Sequence, residues 1–137
     1  MLFTLNGTDA LNLAIRGLAM PKLLRGEPVR VVATDLEHNS VIRPFRTLES
    51  LGAEVVFVPL DPHTGAVDPS QFAEALGPET TLCAANHGSN VTGAVQPLAE
   101  FGAAAKANHG PFLVDASQTF GRIPIDVEAM QIDMLAF

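Results

Sequence analysis

Phe112-Leu113-Val114-Asp115-Ala116-Ser117-Gln118 is the stretch on which the fold reading turns. An apolar run stops at a carboxylate, and an amide side chain follows shortly after it. In parallel α/β sheets, ligands bind in the crevice outside the carboxyl ends of the strands. A carboxylate closing a buried run has lost water and needs a partner. Asp115 therefore reads as a residue that meets a ligand, with Gln118 in the turn beyond it as a hydrogen-bonding neighbour. Capping of the next turn is the other role open to Asp115.

Outward from this stretch, short apolar runs alternate with helical periods. The pattern predicts strands over 2–5, 29–34, 54–60, 81–86, 111–115 and 133–137. It predicts helices over 8–20, 40–51, 69–76 and 98–107. Leu11, Ala14, Ile15 and Leu18 share one face of the first helix, and Pro21 stands just past its predicted end. Gly52 occupies the position of a left-handed helix cap. Asp68 before Pro69 is a helix start. Such alternation predicts an α/β fold, a mostly parallel sheet with helices on both faces joined by right-handed crossovers. No repeat, low-complexity tract or linker divides the chain, so residues 1–137 read as one domain or part of one. Core-strand patterns at both ends predict a portion of a longer polypeptide, with a complete compact domain as the other reading.

Composition narrows the function classes. With 47% hydrophobic and 17% charged residues, the chain reads as globular rather than disordered. A net charge of −7 argues against nucleic acid or an anionic membrane as partner. The one cysteine, Cys83, excludes a disulfide framework within the chain and fits a cytoplasmic location. No signal-peptide pattern opens the sequence, and no apolar run reaches the ~18 residues of a membrane span. Neither a cysteine pair nor a histidine pair has metal-site spacing, so no metal is expected.

Polar loops follow the strands. Asn6-Gly7-Thr8-Asp9 stands before the first helix. Glycine admits close approach of an anion, Thr8 offers a hydroxyl, and helix N-terminal N–H groups point outward, which together make a phosphate cup. A plain helix cap at Asn6 or Thr8 is the alternative. Asp35-Leu36-Glu37-His38-Asn39-Ser40 puts His38 at a strand end, where an imidazole can stack on a ring and move a proton near neutral pH. A helix-start histidine beside a cap at Asn39 or Ser40 is the alternative. In Asn86-His87-Gly88-Ser89-Asn90-Val91-Thr92-Gly93, Asn90 can donate to a phenolic oxygen, or the segment is an ordinary turn. A carboxylate such as Asp115 facing a pyridine nitrogen keeps it protonated and makes the ring an electron sink. Cys83 reads as a core residue, and His63, His109, Lys22 and Lys106 as ordinary loop or surface residues. Neither the Walker nor the dinucleotide glycine fingerprint is present, which disfavours a nucleotide-binding α/β domain.

The phrases over 3–12, Glu37-His38-Asn39-Ser40, Ser89-Asn90-Val91-Thr92-Gly93 and Val114-Asp115-Ala116-Ser117-Gln118, in this order, resemble the class V aminotransferase family, most closely its cysteine-desulfurase-like branch. The resemblance spans essentially the whole chain. It implies part of the large domain of a fold type I enzyme dependent on pyridoxal 5'-phosphate (PLP), a homodimer, and chemistry on a small amino acid such as cysteine. It assigns Gly7 and Thr8 to the phosphate, His38 to ring stacking and proton transfer, Asn90 and Gln118 to the phenolic oxygen, and Asp115 to the pyridinium. The family's cofactor-bearing lysine would follow the strand that ends at Phe137. The resemblance therefore implies that its N-terminal segment, lysine segment and C-terminal domain lie outside 1–137, and that this chain alone is inactive. A truncated, non-catalytic α/β module is the rival reading.

Overall fold

The computed structural model describes residues 1–137. A helix, α1 (Gly7–Leu24), precedes the first strand, β1 (Arg30–Thr34). Then follow α2 (Asn39–Ser50), β2 (Glu54–Val58), α3 (Pro69–Ala75), β3 (Thr80–Asn86), α4 (Leu98–Ala107), β4 (Phe112–Asp115) and β5 (Met134–Ala136). The sheet order is β2-β1-β3-β4-β5, and every pairing is parallel. The predicted α/β class with a parallel sheet is what the chain adopts.

Two apolar layers flank the sheet because strand side chains alternate between its faces. Val31, Ala33, Leu82 and Leu113 pack with Leu11 and Ile15 of α1 and with Phe45 and Leu48 of α2. Val32, Cys83, Phe112 and Val114 face the other way, onto Phe72 of α3 and Leu98 and Phe101 of α4. Phe72 and Phe101 stack there with ring centroids 4.3 Å apart. β3 is buried along its whole length, as a central strand covered on both faces must be. Helices thus cover both faces, as the alternation predicts. No helix is long and apolar enough to cross a membrane.

Several boundaries differ from expectation. Residues 2–5 form no strand. Thr4 Oγ1 donates to the Asn6 carbonyl at 3.0 Å, and the Asn6 side chain caps α1, so the segment turns straight into the helix. Pro21 lies inside α1, which continues to Leu24. Proline forfeits one N–H bond, and the last turn is closed instead by Arg25 and Gly26 N–H donating to Lys22 and Leu23 carbonyls. β2 stops at Val58 because Pro59 has no N–H for the ladder, and Leu60 pairs antiparallel with Val67. Gly52 has φ +99°, and Ala53 N–H donates back to the Leu48 carbonyl, which is the left-handed helix end that its position predicts.

Candidate functional site

Asp115 ends β4 in the interior of the sheet, in register with Asn86 of β3 and Ala136 of β5. Only 5% of it is exposed. Its carbonyl accepts from His87 N–H at 2.9 Å, and Ala116 N–H donates to the Ala136 carbonyl at 2.8 Å. Oδ1 accepts from Ser117 N–H at 2.9 Å and from Ser117 Oγ at 2.6 Å. The capping role is therefore real, yet it uses one oxygen. Oδ2 accepts no hydrogen bond from the chain, so the carboxylate can also meet a cationic ligand.

The start of α1 lies against this turn. A Cβ on Gly7 would come within 3.0 Å of Ser117 Oγ, a tight approach that favours glycine there. The cap is Asn6, whose Oδ1 accepts from Asp9 N–H at 2.9 Å. Of the two cap candidates the structure takes Asn6, and the Thr8 hydroxyl engages nothing in the chain. As first-turn groups, the N–H groups of Gly7 and Thr8 have no intrahelical partner. Two free N–H groups and a free hydroxyl at a helix N-terminus are suited to an anion. Thr8 lines a cleft of about 480 Å³ together with Asn12, Arg16, His38, Ser40 and Arg43.

His38 is itself the N-cap of α2, displacing the expected cap at Asn39 or Ser40. Its Nδ1 accepts from Ser40 N–H at 3.2 Å and lies 2.8 Å from Ser40 Oγ. With Nδ1 accepting, the neutral ring carries its proton on Nε2. The exposed imidazole borders a second cleft of about 310 Å³, shared with Glu37 and Asn90. His38 thus stands between the Thr8 and Asn90 sides. Asn90 is exposed and its amide bonds to nothing in the chain. Its loop is shaped by Ser89 Oγ, which accepts from Val91 and Thr92 N–H at 3.1 and 3.2 Å. Gln118 is exposed in the turn after Asp115 and lines neither cleft. Its carbonyl accepts from Arg122 at 3.5 Å, and its amide is free. Thr8, His38 and Asn90 line the two clefts, while Gly7, Asp115 and Gln118 lie at the same end of the sheet without lining either.

Two residues of this region carried no role in the sequence. Glu37 is 7% exposed, and its Oε1 accepts from Thr34 Oγ1 at 2.6 Å and from Asn86 N–H at 2.7 Å. Its Oε2 is buried with no partner. Burial pushes the carboxyl up to about 7, opposed by those two hydrogen bonds and aided by the charge of Asp115. His87 is 3% exposed, and its Nδ1 lies 2.8 Å from Thr119 Oγ1, tying the 86–93 loop to the turn after β4. Burial lowers its pKa and keeps the ring neutral. An acid directly before His38 was the only available signal for Glu37, and its decisive partner, Asn86, is 49 residues away. Cys83 is a core residue as expected. It is wholly buried, its thiol pKa is pushed up by burial, and its Sγ donates to the Pro111 carbonyl at 3.4 Å.

A parallel sheet covered by helices on both faces, with a carboxylate, a histidine and a helix N-terminus near one another at its strand ends, defines an α/β domain with a candidate ligand site. The family description Aminotransferase class-V matches residues 1–137, and the chain belongs to that family. It is 38% identical over 138 residues to a cysteine desulfurase IscS of Psychromonas ingrahamii, covering 100% of this chain and 33% of that protein. It is 35% identical over 136 residues to a cysteine desulfurase IscS of Dictyoglomus turgidum, covering 99% of this chain and 34% of the relative. The structure of SspA in complex with cysteine superposes with a TM-score of 0.89 at 33% identity, over 97% of this chain and 38% of that one. An apo cysteine desulfurase from Thermococcus onnurineus NA1 superposes with a TM-score of 0.86 at 30% identity, over 98% of this chain and 32% of that one. The chain spans about a third of the length of the curated relatives it matches.

Proposed function

We propose that residues 1–137 are the cofactor-binding portion of the large domain of a cysteine-desulfurase-like enzyme, with PLP as cofactor and cysteine or another small amino acid as substrate. The observation that carries this reading is the approach of Gly7 to the Ser117 hydroxyl, which brings the α1 N-terminus beside the buried Asp115. An anion cup and a fixed carboxylate side by side match a ligand with a phosphate at one end and a basic ring nitrogen at the other. The donor set fits PLP. Gly7 and Thr8 N–H groups and the Thr8 hydroxyl would hold the phosphate, Asp115 would pair with the ring nitrogen, and Asn90 and Gln118 amides would donate to the phenolic oxygen.

When bound, PLP supplies a cationic ring that withdraws electrons from the amino-acid carbons attached to it. Asp115, its orientation locked by Ser117, would keep that ring protonated. His38 would stack on the ring and could carry a proton on Nε2, because Nδ1 is committed to the α2 cap. A homodimer accompanies this reading as what the family resemblance implies, and a cytoplasmic location as what the lone cysteine fits.

Equilibrium dialysis against PLP tests it. The wild-type chain is expected to bind PLP, and Asp115→Asn to bind at least about tenfold more weakly, the equivalent of about 1.4 kcal/mol. ATP or NAD displacing PLP would instead favour a nucleotide site. Equal PLP affinity in Asp115→Asn would remove the carboxylate from the ligand.

A further inference from the structure

We propose that Glu37 is a positioning residue of the cofactor cleft, a buried carboxyl without a cation partner that ties the turn bearing His38 to the loop bearing Asn90. The inference rests on the PLP reading above.

The geometry is specific. The pairing of β1 with β3 stops at Ala33 and Ala84, short of Asn86 at the end of β3. The Glu37 side chain turns inward and accepts from the Asn86 N–H at 2.7 Å. The same oxygen takes the Thr34 hydroxyl at 2.6 Å, which fixes the side chain to its own strand. Asn86 Oδ1 in turn accepts from Gly88 N–H at 3.1 Å, which starts the loop toward Asn90. Glu37 is therefore a clamp between His38, its sequence neighbour, and Asn90, which shares a cleft with both.

Its charge state follows from its surroundings. No cation pairs with Glu37. The charged or titratable groups around it are Asp115 from β4, His87 beyond β3, and Asp35 and His38 on its own turn. His87 is neutral and tied to Thr119. An ionised Glu37 would leave Oε2 buried without a donor and add a second negative charge near Asp115. Burial accordingly pushes its carboxyl to about 7. A neutral acid keeps both accepted hydrogen bonds and adds no charge.

The test uses the 137-residue chain and three measurements: ¹³C NMR titration of glutamate carboxyls, thermal melting against pH, and equilibrium dialysis with PLP. Glu37→Gln mimics the neutral acid, and Glu37→Ala removes the clamp. The expected result is a glutamate resonance titrating near 7 that disappears in Glu37→Gln. Glu37→Gln should bind PLP within about threefold of wild type, and Glu37→Ala at least about tenfold more weakly, with unchanged far-ultraviolet circular dichroism. A Glu37 resonance titrating near 4.5 overturns the neutral state. Wild-type PLP affinity in Glu37→Ala overturns the clamp and leaves the cofactor reading standing. A wild-type chain that binds no PLP, with Glu37 still titrating near 7, overturns the cofactor reading and the cleft role together while the buried neutral acid remains.

Discussion

Glu37 and His87 place opposite demands on pH. The folded chain raises the Glu37 pKa from 4.5 to about 7, so its stabilising effect is complete below the ordinary carboxyl range and is lost as pH climbs through 7. The size of that loss is on the order of 3 kcal/mol. Burial lowers the His87 pKa below 6.5, so its effect is complete above that value and is lost as pH falls. The two effects oppose each other below 6.5, so the melting midpoint should fall as pH rises toward 7 and change less on the acid side. Glu37→Gln should abolish the alkaline decline and expose the acid loss of His87, and a variant that kept the alkaline decline would contradict the assignment. His38 caps α2 through Nδ1 and also lines both clefts, so the two features can be separated by substitution. His38→Ala should cost about 1 kcal/mol by loss of the cap. His38→Asn should keep the melting midpoint and lose PLP affinity, and an asparagine variant that binds PLP normally would show that the ring plays no part.

At the scale of elements, the helices earn their positions through contacts that local pattern does not reveal. α4 matches its predicted span, and its buried face holds Leu98, Phe101, Gly102 and Ala105. Gly102 is there for space. A Cβ at that position would run into the Met130 carbonyl. Met130 belongs to the 126–132 turn, closed by Met130 N–H to Asp126 O and Ile132 N–H to Val127 O, both at 2.9 Å. Alanine is the better helix former by about 1 kcal/mol, yet overpacking should cost more, for a net loss of about 2 kcal/mol in Gly102→Ala. Denaturant unfolding checks this, and an unchanged or higher midpoint would mean the turn yields freely. The strand boundaries tell a similar story. Periodicity located β1, β3 and β4 to within a residue, because buried parallel strands are apolar throughout. It misplaced 2–5, since an apolar run carries no information about whether a neighbouring strand is available to pair with it.

On the scale of the whole molecule, the sheet determines where chemistry can occur. In an alternating parallel fold, helix N-termini and strand C-termini share one end, and helix C-termini lie at the other. Thr8, His38, Asn90 and Asp115 occupy the first end. The two lysines, Lys22 and Lys106, lie in the last turns of α1 and α4, at the far end. Under the proposed function, PLP bound to these 137 residues would therefore be held without a covalent link. Dialysis should strip it completely, and an absorbance band that survives exhaustive dialysis would show that a lysine reaches the cleft.

The amino-acid order alone determined the α/β class, the parallel sheet, the helix-capping glycine at Gly52 and most of the residues at the strand ends, because periodicity and turn chemistry are local properties. It also placed Asp115 at the end of a buried strand, since burial follows from the apolar run before it. Tertiary structure decided which of two plausible duties each polar residue performs. Asn6 rather than Thr8 caps α1, His38 caps its own helix, and Asp115 gives one oxygen to Ser117 and leaves the other without a donor in the chain. Only the folded chain turned Glu37 inward to meet Asn86, and only it set Gly7 against Ser117. These choices depend on partners brought together by strand order, and strand order is written in contacts between segments far apart along the chain.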